Sequence, residues 1–68
     1  MNKPRNTLKT LEDIKTTDGT TDIVISAVTA WMMTPDENLL IFMQGDTIFE
    51  VATYQSEYVQ KELRRNIG

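Results

Sequence analysis

Cysteine and histidine are both missing from this chain. Without Cys there is no disulfide, iron–sulfur cluster or thiolate zinc site. Without His the imidazole ligand is lost, and so is the side chain that titrates near neutral pH. The bases left for catalysis are carboxylates, Lys and Tyr. The three glycines are scattered, so they build no phosphate-cradling loop. Asp36 and Glu37 are adjacent acids in a solvated turn, and Glu50 stands alone in an apolar strand. Neither arrangement pairs a nucleophile with a base. Asp18 and Asp22 lack the ladder of oxygens that a calcium loop needs. The composition points away from an enzyme and implies no cofactor and no metal.

Long apolar runs are also lacking. Ile23 to Met33 is the longest, too short for the roughly 20 residues that span a bilayer. Residues 1–15 have no apolar core of a secretory leader, so a cytoplasmic chain with no membrane contact is expected. Sixty-eight residues allow one domain, 1–68. A chain this short buries only about 60% of its unfolded surface and gains from self-association when no covalent staple exists.

What is present is unevenly placed. Seven acids and no Lys or Arg lie between Thr16 and Gln60, while all seven cations lie outside that span. Asp18, Asp22, Asp36, Glu37, Asp46 and Glu50 thus define a candidate acidic surface, fit to meet a basic partner protein. The same distribution makes nucleic acid a poor partner for the middle of the chain.

Along the chain, residues 1–7 read as a flexible arm. Leu8, Leu11 and Ile14 recur every three positions, which predicts a short helix capped by Asn6 or Thr7. Thr16 to Thr21 reads as a turn or linker around Asp18-Gly19. Residues 22–33 are rich in β-branched side chains and predict a strand, with a buried helix as the competing reading. That strand is apolar on both faces, so both faces need a cover. Pro35 predicts a turn at 34–38. Strands at 39–43 and 47–53 then form a hairpin through Gln44-Gly45-Asp46. Its register is open by one residue, and with Gly45-Asp46 as the turn Phe42 faces Phe49 and Leu40 faces Val51.

Thr53 is expected to cap a helix from Tyr54 to about Asn66. Val59, Leu63 and Ile67, with Ser56 alongside, form its apolar stripe. Tyr54, Tyr58, Lys61 and Arg65 fall on the opposite side, and Tyr and Arg are enriched at binding hot spots. The expected architecture is α+β, with an antiparallel sheet of about three strands packed on a C-terminal helix. The hairpin followed by this helix is loosely similar to the end of small phage head–tail joining proteins, a likeness that carries over no residue role.

The functional expectation is a non-catalytic protein-binding module, a small accessory regulator or inhibitor of phage or mobile-element type. Trp31, Met32 and Met33 are candidates for a self-interface or partner contact, because aromatic residues and Met are enriched there. A homodimer is the expected state. One alternative is a structural component of a homo-oligomeric assembly such as a phage particle. Another is nucleic-acid binding through Tyr54, Tyr58, Lys61, Arg64 and Arg65, with rings stacking on bases.

Overall fold

A computed structural model describes residues 9–67. The expected arm at 1–7 lies outside the described residues. The chain is α+β: five antiparallel strands in two sheets, followed by one C-terminal helix. Strand β1 (Thr10–Thr16) pairs with β2 (Gly19–Val24), and a 3-10 turn at Ile25–Ala27 leads into the second sheet. That sheet has the order β3-β4-β5, from Val28–Met33, Leu39–Met43 and Thr47–Glu50. Helix α1 runs from Thr53 to Asn66. No helix among the described residues is long and apolar enough to cross a membrane.

Of the helix expected from Leu8, Leu11 and Ile14, the cap and Leu8 lie outside the described residues, while Leu11 and Ile14 lie in strand β1, where a bulge explains their spacing. The β1–β2 register shifts between Leu11 and Ile14, and Asp13 takes a left-handed φ of 60°. One extra residue in a strand lets side chains three apart reach the same face. Leu11 and Ile14 are accordingly both buried. Asp22 Oδ1 accepts the Asp13 N–H at 3.1 Å, holding the bulge against β2. The turn or linker expected at 16–21 narrows to a two-residue turn at Thr17-Asp18, with Thr16 of β1 paired to Gly19 of β2.

The single strand expected at 22–33 is two strands broken by the 3-10 turn. Ile23 near the end of β2 and Ile25 at the start of the turn are both buried in the core, and the break carries the chain from the first sheet into the second. In the second sheet the observed register pairs Phe42 with Ile48, Ile41 with Phe49 and Leu40 with Glu50. The expected Phe42–Phe49 and Leu40–Val51 pairs are therefore displaced by one residue. The cause is a three-residue turn in which Gly45 and Asp46 both adopt positive φ, 82° and 67°. Strand β5 also ends before the expected residue 53. Val51 turns to bridge Thr16 of β1, with Thr17 N donating to Glu50 O (3.1 Å) and Ala52 N to Lys15 O (2.8 Å). These bonds join the two sheets.

The core is Leu11, Ile14, Ile23, Ile25, Leu39, Ile41, Val51, Val59 and Leu63, drawn from both sheets and the helix. Ser56, Val59 and Leu63 are buried as the helical stripe requires, and Ile67 packs at its end. Thr53 does not cap α1. The N-cap is Ala52, without a side-chain bond, and the Thr53 hydroxyl donates to Asn38 Oδ1.

Candidate functional site

The three-stranded sheet sorts the candidate contact residues by strand alternation. Trp31 is opposite Ile41, which is opposite Phe49, and Ile41 is fully buried. Trp31 and Met33 therefore face inward and pack half-buried against the core, while Met32 between them faces out. The three residues do not share a surface. On the outward face, Met32 is opposite Leu40, and Ala30, Phe42 and Ile48 form the next row. Met32 is 49% exposed and Ile48 53%. Glu50 closes one corner of this face, its Oε2 accepting the Asn38 amide at 2.8 Å.

Helix α1 presents its other candidate surface. With Ser56, Val59 and Leu63 turned to the core, residues 54, 58, 61 and 65 form an outward stripe. Tyr54 is 74% exposed and Tyr58 52%, with Lys61, Arg64 and Arg65 exposed beside them. Two polar side chains fix the helix against the strands. Ser56 Oγ accepts the Leu39 N–H at 2.9 Å and gives its own hydrogen to the carbonyls of Val51 and Ala52. Gln55 takes the Lys15 N–H at 2.6 Å and donates to Asp13 O at 3.2 Å, seating the bulged strand on the helix.

Glu62 went unnoticed in the sequence and is the most constrained charge in the molecule's described part. It is 8% exposed, with Lys9 Nζ 2.7 Å from one carboxylate oxygen and Arg65 Nη1 3.4 Å from the other. The Lys9 hydrogen bond, helped by the Lys9 and Arg65 charges, holds its pKa below the ordinary carboxylate value against the opposing push of burial. The signal available was position: Glu62 is three residues after Val59 and abuts the apolar stripe, where an acid needs a cation.

The acids of the candidate acidic surface are distributed. Asp36 and Glu37 occupy the β3–β4 turn, and Asp46 the β4–β5 turn at the opposite end of that sheet. Asp18 is in the β1–β2 turn, and Asp22 lies on β2 with its carboxylate committed to the bulge. No family model matches the chain, and no curated protein and no solved structure matches it.

Proposed function

We propose that this chain is a non-catalytic protein-binding module, a small accessory regulator or inhibitor that acts by contact. The observation that carries this reading is the outward stripe of α1. Two exposed tyrosines and two cations stand in one row on a helix whose opposite side is anchored in the core. Rings and guanidinium groups held on a rigid element lose little freedom on binding, the condition under which such residues become hot spots. The acids in the three turns supply secondary contacts to a basic partner.

The test is a photo-crosslinking phenylalanine analogue at position 58, expressed in cells of the source. One defined protein adduct, lost on Arg65→Glu, is the expected result. An adduct to nucleic acid, or a set of adducts indifferent to Arg65→Glu, overturns it. Salt dependence separates the surfaces, since contacts through exposed acids weaken steeply toward physiological ionic strength and apolar contacts do not.

A second reading, a building block of a homo-oligomeric assembly, is favoured by the apolar outward face of the β3-β4-β5 sheet.

A further inference from the structure

Sheets in small proteins usually turn one apolar face to the core and one polar face to water. This one does not. Its inward face holds Trp31, Met33, Leu39, Ile41 and Phe49, packed against the core or part of it. Its outward face carries Ala30, Met32, Leu40, Phe42 and Ile48 as a contiguous patch, because Met32 registers with Leu40 and Phe42 with both Ala30 and Ile48. Single exposed apolar side chains are ordinary, but contiguous apolar patches mark contact sites.

We propose that two copies of this chain meet through this face, sheet on sheet, with Met32, Leu40, Phe42 and Ile48 at the centre. The proposal deepens the second reading above by naming its surface, and it is independent of the helix stripe.

Charge favours a second copy as the occupant. The centre of the patch holds no charge, so stacking it on itself brings no like charges together in a molecule of net charge −3. The one acid on the face, Glu50, sits at a corner. In a two-fold stack with strands roughly aligned, each Glu50 lies over the partner's Met32 or Ile48 position at the rim, not over its counterpart. Sheets packed face to face sit about 10 Å apart, and a copy brings a face of identical size.

Area sets the strength. Three strands about 4.8 Å apart, and five residues along β4 at about 3.4 Å each, give a flat footprint of about 240 Å². Stable specific interfaces bury about 800 Å² of accessible surface on each partner. Side-chain relief narrows that gap without closing it, so the dimer is weak and depends on concentration.

The experiment is sedimentation equilibrium on the full chain from roughly 10 µM to 1 mM, the range in which weak association is read. Wild type is expected to rise from monomer toward dimer mass. Met32→Lys and Ile48→Lys, at exposed positions, should keep the wild-type circular dichroism and stay monomeric throughout. Tyr58→Ala should dimerise as wild type does. Isotope-filtered NMR on a mixture of labelled and unlabelled wild type should show Met32 and Ile48 methyl contacts between copies, which decides the matter even if a Lys variant fails to fold.

A wild-type mass that stays monomeric overturns the proposal, as does a folded Ile48→Lys that dimerises undiminished. Dissociation by Tyr58→Ala also overturns it, because the interface would then be the helix. The position-58 adduct should survive Ile48→Lys, so loss of the dimer and loss of the partner are separate results.

Discussion

Lys9 Nζ stands 2.7 Å from Glu62 Oε1, joining the approach to β1 to the third turn of α1 across fifty-three residues of sequence. Folding lowers the Glu62 pKa, so the folded state holds fewer protons than the unfolded chain as acid is added. The pair's contribution is complete above the unfolded carboxylate value, about 4.3. It is lost as the pH falls through the lower, folded value. Glu62→Gln should therefore flatten the acid limb of stability against pH, measured by urea unfolding between neutral and acid pH. Lys9→Met should raise the pKa of Glu62 itself, readable by carboxyl carbon NMR titration.

Ser56→Ala should cost about 1–3 kcal/mol, because it leaves the buried Leu39 N–H without the hydroxyl that accepts it. Denaturant unfolding measures the loss. Hydrogen exchange should locate it, with the Leu39 amide losing protection ahead of the middle of β4.

Asp13 sits at a φ of 60°, where a Cβ is strained and a β-branched one more so. Asp13→Val should destabilise by roughly 1–2 kcal/mol, and Asp13→Gly should be near neutral. A loss for glycine equal to that for valine would show that the carboxylate, not the backbone, matters there.

Tyr54→Ala and Tyr58→Ala should leave the unfolding free energy within about 0.5 kcal/mol of wild type, since both rings are exposed. Loss of the position-58 partner without loss of stability separates a contact role from a packing one.

Trp31→Ala should cost roughly 2–3 kcal/mol, less than the 3–5 of a fully buried ring, because Trp31 is only half-buried against the core. In wild type the Trp31 fluorescence should shift red on unfolding, while weak self-association should persist in the folded Ala variant.

The helix was the most legible element because its apolar stripe and its aromatic-basic stripe are both set by a period of 3.6, and both fall where the period puts them. The bulged strand was not, since a spacing of three in Leu11 and Ile14 is shared by a helix and by a strand with one extra residue. The five-strand arrangement was hidden for the same reason, together with the 3-10 break after Val24, which no Gly or Pro announces. In the hairpin, Gly45 signalled a turn, but a positive φ at Asp46 as well lengthened it by a residue. Of the candidate contacts, Tyr54, Tyr58, Lys61 and Arg65 share one exposed face of α1, where the helical period puts them. Adjacency in sequence grouped Trp31, Met32 and Met33, although neighbours in a strand face opposite ways. The Lys9–Glu62 pair depends on tertiary docking of distant segments, which no local pattern encodes.

A strand that is greasy on one side only is locked in its ladder, because a slip by one position would push that side into water. Strand β4 has no such lock: sliding Leu39–Met43 by one residue trades Leu39 and Ile41 for Leu40 and Phe42. The alignment is set by the turn, with its positive φ at Gly45 and Asp46, and is held a second time by the helix, whose Ser56 hydroxyl receives the Leu39 amide. The docking of α1 therefore backs up, from the far side of the core, an alignment that the sheet's own greasy faces leave to the turn.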